Sequence, residues 1–228
     1  MIVGMVRTTP PSRMRDIADA SRRTFAATGY KRTQVADVAK AVGLSPAALY
    51  RHVESKEALF HLAFVESVGD LGDYVATPAD GATVELIGVR LRRSPLLRRA
   101  TRALEEPGAD AFDDLREVIS DLYRSVAANW ELLALVEASA RDRPDIADRY
   151  FRVGRRGGTD DLARFLESRI ADGSFRAVLD PELFALQIRE TCAWFAWHRR
   201  PDPDTPPIDD DAALASILEV FVRALEPA

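Results

Sequence analysis

The sequence predicts an all-α protein, because each region with a clear hydrophobic pattern repeats with the period of a helix. In the last of these regions, apolar residues from Leu214 to Leu225 recur at spacings of three and four, which is the pattern of an amphipathic helix. Helix-starting pairs such as Ser45-Pro46 and Asp180-Pro181 recur along the chain, and no strands are evident. We therefore expect about nine or ten helices.

The bulk composition is that of a soluble globular protein. The 228 residues are 47% hydrophobic and 29% charged, and a chain of this length buries a sizeable core. No apolar run approaches the ~20 residues that cross a membrane, and the N-terminus lacks the apolar stretch of a signal peptide. Cys192 is the single cysteine, so we expect a cytoplasmic protein with no internal disulfide and no membrane association.

Residues 33–56 carry the most informative local pattern. Thr33 is placed to cap a first helix, and Gly43 ends it because glycine accepts the left-handed conformation of a helix exit. Ser45 caps a short second helix that is predicted over Pro46–His52. A helix, a glycine turn and a second short helix are the layout of a helix-turn-helix DNA reader.

Longer helices flank this motif. The helix before it is predicted over Ser12–Thr28, with Gly29 as its stop signal, and it braces the two reading helices. The helix after it is capped by Ser55 and extends to about Val75. That helix is apolar on more than one side, which indicates that it packs against two neighbours.

Charge is distributed unevenly along the chain. Residues 1–61 hold ten lysines and arginines against five acidic residues, whereas the rest of the chain has ten more acidic than basic residues. A basic N-terminal part on an acidic remainder is typical of a protein in which one end meets nucleic-acid phosphate.

The N-terminal quarter resembles the TetR family of transcriptional regulators. The resemblance runs from about Arg13 to Phe64 and consists of many residues at fixed offsets. They are Phe25, Gly29-Tyr30, Thr33, Val38-Ala39, Val42-Gly43-Leu44-Ser45, Leu49-Tyr50-Arg51-His52-Val53 and Ser55-Lys56-Glu57-Ala58-Leu59. The resemblance implies a DNA-binding domain over residues 12–71, with its helix-turn-helix at about 34–53. Residues 72–228 then form a helical ligand-binding and dimerisation domain, and residues 1–11 a flexible tail.

The predicted DNA contacts are of two kinds. The N-terminal residues of a reading helix meet base edges, and here these are Pro46, Ala47 and Ala48, which offer thymine-methyl contact or shape readout in place of the polar residue common in the family. Hydrogen bonds to bases must then come from nearby polar side chains, namely Arg32, Gln34, Ser45 and Arg51. The resemblance implies phosphate contacts from Thr33, Tyr50, His52 and Lys56.

From Ala82 onward, the hydrophobic pattern predicts a series of helices. They are predicted over Val84–Arg93, Ser94–Glu106, Asp110–Asn129, Glu131–Arg141, Pro144–Ala171 and Asp180–Arg199, with a last helix capped by Asp209 or Asp210. Gly154, Gly157 and Gly158 interrupt the fifth of these and indicate a kink or a close helix contact.

Two functional surfaces are expected in the ligand-binding and dimerisation domain, residues 72–228. Side chains chosen as a ligand-pocket hypothesis are Tyr123, Trp130, Glu137, Arg141, Phe151, Gln187, Trp194 and His198. The last two helices are expected to form a four-helix dimer interface with a second copy, through Leu183, Gln187, Trp194, Leu214, Ile217, Leu218, Phe221, Val222 and Leu225. The alternative is that these two helices only close the core of the body itself.

Catalytic chemistry is not indicated. No nucleophile elbow, glycine-rich phosphate loop or paired-carboxylate motif is visible, so we expect a protein that is not an enzyme and uses no cofactor. Glu57 and His61 lie four residues apart without further ligands at suitable spacing, which favours a pair on a helix surface over a metal site. Cys192 is expected to be a small buried residue rather than a redox sensor.

These observations predict a sequence-specific DNA-binding regulator. The resemblance implies a homodimeric repressor that binds a palindromic operator on double-stranded DNA and is released by a small-molecule effector. Activation instead of repression stays open, because it depends on where the operator lies. A different class also stays open: a helical small-molecule binding protein or enzyme whose N-terminal unit is a packing module.

Overall fold

The computed structural model describes residues 11–67, 82–92, 102–106, 108 and 110–227, and these ranges contain helices and no β-strand. The predicted all-α fold is therefore confirmed. The chain divides into two compact units, and the first consists of Met1–Val89 together with Glu131–Tyr150. The second unit consists of Arg90–Trp130 and Phe151–Ala228.

The helices of the N-terminal stretch follow the predicted order. They are α1 (Pro11–Arg32), α2 (Val35–Ala41), α3 (Pro46–Leu49), α4 (Lys56–Ser67) and α5 (Ala82–Arg92). The predicted tail at residues 1–11 lies almost wholly outside the described residues, as do the end of the helix predicted to reach Val75 and most of the helix predicted over Ser94–Glu106.

The later helices are divided differently from the prediction, because one is longer than the local patterns predict and two others contain π-helical segments. They are α6 (Ala111–Ala140), α7 (Pro144–Ala147), α8 (Gly157–Ala171), α9 (Pro181–Ala193) and α10 (Asp210–Arg223). Helix α6 joins the two helices that were predicted separately, and Asn129 marks their junction with non-helical dihedral angles. A π-helix over Asp148–Arg156 links α7 to α8, and another over Trp194–His198 extends α9. The predicted glycine kink thus takes the form of a π-helical segment.

Aromatic side chains form the centre of the first unit. Phe25 of α1 meets Phe60 of α4 edge-on, with 5.0 Å between ring centroids, and Phe60 meets Tyr30 and Phe64 in the same way at 4.9 and 5.0 Å. Phe25, Phe60 and Phe64 are fully buried. Edge-to-face packing of this kind stabilises a pair by about 0.5–1.5 kcal/mol beyond the burial of area, so α1 and α4 form a firm support for the short helices between them.

Aliphatic side chains dominate the core of the second unit. Residues such as Leu115, Ile119, Leu166 and Ile217 pack together there with Cys192. Cys192 is fully buried, as predicted, and burial raises the pKa of its thiol to about 12. Its thiolate is therefore scarce near neutral pH, and the residue acts as a small hydrophobe.

Several helix starts are formed by the predicted capping residues. Ser45 Oγ accepts a hydrogen bond from the Ala48 N–H, and Ser55 Oγ accepts one from the Ala58 N–H. Asp180 and Asp209 cap α9 and α10 in the same manner. Gly43 has a φ of 67°, the left-handed conformation expected after α2.

Thr33 does not cap α2, contrary to expectation. The N-cap position belongs to Gln34, which makes no side-chain capping bond. The Thr33 hydroxyl instead donates to the carbonyl of Gly29 at 2.8 Å, because the chain turns inward there. Among the described helices, none is long and apolar enough to cross a lipid bilayer.

Candidate nucleic-acid interface

The outer face of α3 is fixed by how the helix is anchored on its inner face. Leu49 is fully buried, and Val53, just after the helix, is buried as well. With these two side chains turned inward, Pro46, Ala47, Tyr50 and Arg51 are exposed. Tyr50 is 47% exposed, so its ring and hydroxyl are accessible from outside the protein.

Two of the predicted DNA-contact residues are buried in the core of the first unit. Ala48 is buried against the neighbouring helices because it follows the same inward face as Leu49. Thr33 is 1% exposed, and its hydroxyl is 2.6 Å from the Thr28 hydroxyl as well as bonded to Gly29. Neither side chain is available for DNA in this conformation, so the set of proposed contacts excludes both.

Polar side chains surround the exposed face of α3. Arg32, Gln34 and Ser45 are exposed, and His52 is half-buried. All four belong to the predicted set of contacts, and they lie before α2, before α3 and after α3. The structure therefore leaves polar groups at both borders of the apolar Pro46-Ala47 surface.

Lys56, at the first position of α4, is held by internal contacts. Its Nζ donates to the Lys31 carbonyl at 3.2 Å and lies 4.9 Å from the centre of the Tyr30 ring. An ammonium group has three donors, so these contacts leave capacity for a phosphate oxygen. Lys56 thus stands half-buried at the start of a helix, where free N–H groups also favour an anion.

The Glu57–His61 pair is not the helix-surface pair that the sequence predicts. His61 is buried, and its Nδ1 lies 3.1 Å from the Thr83 hydroxyl of α5. Burial lowers the pKa of His61, with the Glu57 carboxylate opposing that shift. Glu57 itself pairs with Arg143, both of its oxygens accepting hydrogen bonds at 3.0 Å.

The residues of the ligand-pocket hypothesis fall in both compact units. Tyr123 is buried in the second unit and donates to Asp210 at 2.8 Å, whereas Glu137 belongs to the first unit. Half-buried members are Trp130 and His198, and exposed members are Arg141, Phe151, Gln187 and Trp194. This set stays a prediction.

The predicted dimer-interface residues separate into two groups. On α10, Leu214, Ile217, Phe221 and Val222 are buried in the core of the second unit, as is Leu225 just after it, and Leu218 packs against that core. On α9, Leu183 and Gln187 are exposed, and so is Trp194 at the start of the following π-helix. With Leu186 they form one row at helical spacing, apolar except for Gln187, which we call the α9 stripe (Leu183, Leu186, Gln187 and Trp194).

Asp142 and Arg143 were missed by the sequence reasoning. They follow α6, more than eighty residues after the helix-turn-helix, and yet they contact Lys31 and Glu57 of the same unit. The run of charged residues around Pro144 is visible in the sequence. It does not indicate which distant residues these charges contact, because a long-range ion pair leaves no periodic pattern.

The chain belongs to the TetR family. A model of the bacterial regulatory proteins of that family matches residues 17–63, and a model of the AefR-like transcriptional repressor C-terminal domain matches residues 116–226. Together these two matches account for well over half of the chain. The fold is therefore that of a family of DNA-binding transcription regulators.

Two relatives share a name. The HTH-type transcriptional repressor KstR2 of Rhodococcus jostii is 28% identical over 190 residues, which cover 82% of this chain and 80% of the relative. The ketosteroid transcriptional regulator KstR2 of Mycobacterium tuberculosis has a similar structure, with a TM-score of 0.61, 17% identity and all of both chains covered.

A third similar structure is the regulator FadR of Bacillus subtilis in complex with stearoyl-CoA. Its TM-score is 0.53 and its identity 20%, with 92% of this chain and 98% of that chain covered. At 17% and 20% identity, the KstR2 structure of Mycobacterium tuberculosis and the FadR structure are evidence of a shared fold alone.

Proposed function

We propose that this protein is a homodimeric transcriptional repressor that binds a palindromic operator and leaves it when a small-molecule effector binds. The observation that carries the proposal is the exposed outer face of α3, with Pro46, Ala47, Tyr50 and Arg51 presented by an N-terminal stretch of positive charge. A short helix anchored on one side and exposed on the other is suited to the major groove.

The contacts within the groove follow from the chemistry of this face. Ala47 offers a methyl group for thymine, and Arg51 offers bidentate hydrogen bonds to guanine. Tyr50 and Lys56 supply donors for backbone phosphates, which fix the position of the helix without reading sequence. Specificity then depends on few direct bonds, and the shape of the operator contributes the rest.

A dimer is supported by the α9 stripe. Leu183 and Trp194 are 48% and 43% exposed, and a row of this kind is costly to leave in water. Pairing with the same stripe of a second copy gives a two-fold symmetric assembly. Its two α3 helices then read half-sites about one helical turn (~34 Å) or somewhat more apart.

Release by an effector requires that the effector binds one dimer conformation better than the other. The shift in operator affinity can be no larger than that difference. Coenzyme A thioesters are the first compounds to test, since the structurally similar FadR binds stearoyl-CoA. We place the protein in the cytoplasm, where both DNA and such metabolites are found.

The alternative, a packing module at the N-terminus of a small-molecule binding protein or enzyme, is less well supported. A helix that served packing would turn Tyr50 inward, and the inward positions are already occupied by Leu49 and Val53.

The experiment is capture of genomic DNA fragments by the purified protein, followed by binding titrations of the recovered fragment at several salt concentrations. Tyr50→Phe and Lys56→Ala should weaken binding severalfold on every sequence, because they remove phosphate contacts. Lys56→Ala should also reduce the magnitude of the slope of log K against log salt by about 1.

Arg223→Ala is the matched control. It removes an exposed charge from α10, in the second unit, where Arg223 pairs only with Glu219 among the ion pairs of the described residues. We expect its affinity and salt slope to equal those of the unaltered protein. Recovery of random fragments, with no enrichment over the genome, would contradict the proposed function.

A further inference from the structure

The segment Glu131–Asp145 packs against the DNA-binding helices within the first unit, although it is distant in sequence. We call this segment, the end of α6 and the turn into α7, the brace. Its first contact is the ion pair between Glu131 and Arg22 of α1, at 2.7 Å. Further contacts follow along its length, and they concentrate at two points of the DNA-binding helices.

The first point is the corner where α1 gives way to α2. Gly29 has a φ of 78°, and a Cβ on it would lie 2.8 Å from the Ala138 carbonyl oxygen. Two residues later, the Lys31 N–H donates to Asp142 Oδ2 at 2.8 Å. Only glycine combines this conformation with this close approach, so the corner is built to lie directly on the brace.

The second point is the first turn of α4. Arg143 donates to both Glu57 oxygens at 3.0 Å and to Asp145 at 2.8 Å. Its guanidinium carbon is 5.1 Å from the centre of the Tyr30 ring and 5.6 Å from that of Phe60. The Arg143 side chain is 18% exposed, whereas those of Glu57 and Asp145 are 42% and 43% exposed. Water therefore partly screens the ion pairs, and the cation–π contacts gain from the burial of the guanidinium.

Arg143 and Tyr30 keep their charge states over the physiological pH range. The hydrogen bonds of Arg143, to Asp145 first, raise its pKa against the opposing effect of burial. Burial and the Glu57 carboxylate raise the pKa of Tyr30 to about 12. The guanidinium therefore stays charged and the phenol neutral, and the geometry does not depend on small changes of pH.

These two points enclose the helix-turn-helix. The corner at Lys31 comes immediately before α2, and Glu57 is the second residue of α4. Helices α2 and α3 are the chain between them. Lys56, which we propose as a phosphate contact, joins the points directly, because its Nζ donates to the Lys31 carbonyl.

We propose that Asp142 and Arg143 are positioning residues for operator binding, which set the placement of both ends of the helix-turn-helix by holding Lys31 and Glu57. The proposal rests on the proposed DNA-binding function and adds the residues that regulate it.

The test compares Arg143→Met and Asp142→Asn with the unaltered protein in titrations of the captured operator fragment. Methionine keeps much of the arginine's length and removes its charge. Asparagine keeps the shape of aspartate but replaces the charged acceptor of the Lys31 N–H with a weaker neutral one. We expect about tenfold weaker binding for Arg143→Met and severalfold weaker binding for Asp142→Asn, in the range of energetic coupling between neighbouring elements. Arg116→Met, which removes an arginine paired with Asp113 on the same α6, is the control and should bind normally.

A second readout separates positioning from general destabilisation. Hydrogen exchange of the Lys31 amide should be slow in the free unaltered protein and faster in Asp142→Asn, while amides in the middle of α4 keep their protection. A double-mutant cycle with Glu57→Gln should be non-additive for Arg143→Met, because the two side chains form one contact.

Normal operator affinity in both variants would overturn the proposal. So would weaker affinity with unchanged exchange at Lys31, since that result indicates direct DNA contact by the altered residues. If Arg143→Met does not fold, Asp142→Asn decides the matter alone. If the unaltered protein captures no specific DNA, the proposed function fails, while the exchange measurement still tests whether the brace holds the corner.

Discussion

The two compact units differ in what they expose. Among the described residues, the first unit exposes one large hydrophobic side chain, Tyr50, and otherwise surrounds the reading helix with polar and charged groups. The second unit exposes Phe151, Val153, Leu179, Leu183, Leu186, Trp194 and Val220. A surface that is polar around a single aromatic ring is suited to the grooves and phosphates of DNA. A surface with apolar rows is suited to another protein.

The units also use clusters of charged side chains differently. In the first, Arg143 joins a late segment to α4, which follows the proposed DNA-reading helix. In the second, Asp210 at the start of α10 accepts hydrogen bonds from Tyr123, Arg199 and Arg200. That second cluster connects α6, the end of the π-helix after α9, and α10, none of which carries a proposed DNA contact. We therefore expect loss of charge pairing to change operator affinity in the first unit and stability alone in the second.

The largest expected effect comes from breaking the α9 stripe. Leu183→Glu combined with Trp194→Glu places charges where an apolar contact is proposed, so the dimer should separate into monomers. Operator affinity should fall by about a hundredfold or more, because one monomer binds one half-site without the gain from linkage. Sedimentation analysis gives the mass and a titration gives the affinity.

Val153→Glu is the control for that experiment. Val153 is 43% exposed in the same unit and lies outside the stripe, so the same kind of substitution should leave the dimer intact. Monomers from both proteins would show that the stripe has no special role, and a dimer from both would place the interface elsewhere.

A smaller effect is expected from Tyr123→Phe, which sharpens the contrast between the two charged clusters. The substitution removes the hydrogen bond to Asp210 and leaves the ring in the core. Since Asp210 is partly exposed, the free energy of unfolding should fall by about 1 kcal/mol, which lowers Tm by about 2–4 °C. Operator affinity should not change, and a large loss of affinity would remove the distinction between the units.

The smallest effect concerns pH and His61. Burial lowers the pKa of His61 below its ordinary value of 6.5, so the folded protein binds that proton less readily than the unfolded chain. The stability that depends on the neutral ring is complete above pH 6.5 and is lost as the pH falls from 6.5 through the folded pKa. His61→Asn keeps a hydrogen-bonding group near Thr83 and cannot titrate.

Thermal unfolding between pH 8 and pH 5 measures this difference. The unaltered protein should lose more stability below pH 6.5 than the variant, whereas both should respond equally to pH above 7. Parallel curves over the whole range would show that the burial of His61 does not affect its proton affinity.

Local features of this fold were predictable because their signals are local. Ser45, Ser55, Asp180 and Asp209 cap the helices that their sequence positions indicate, and Gly43 takes the left-handed conformation that a helix exit favours. The exposed Ala47 and Tyr50 follow from the same reasoning, since Leu49 and Val53 define the inner face.

Long-range features were not predictable, for reasons that particular residues make clear. Arg143 and Glu57 are 86 positions apart, and charged residues have no periodicity that identifies a distant partner. Thr33 looked like a helix cap, but a hydroxyl at a corner can donate backward to the Gly29 carbonyl as readily as it accepts from the next turn. On α10, the apolar face that suggested an interface packs in the core, because core and interface stripes have the same composition.

Footprinting of the captured operator, with the mass of the complex measured on the same fragment, tests the central claim most directly. The account predicts a protected region with two-fold symmetry whose half-sites lie about one helical turn (~34 Å) or somewhat more apart, occupied by two copies of the chain. An asymmetric footprint, or a single copy bound at full occupancy, would contradict it.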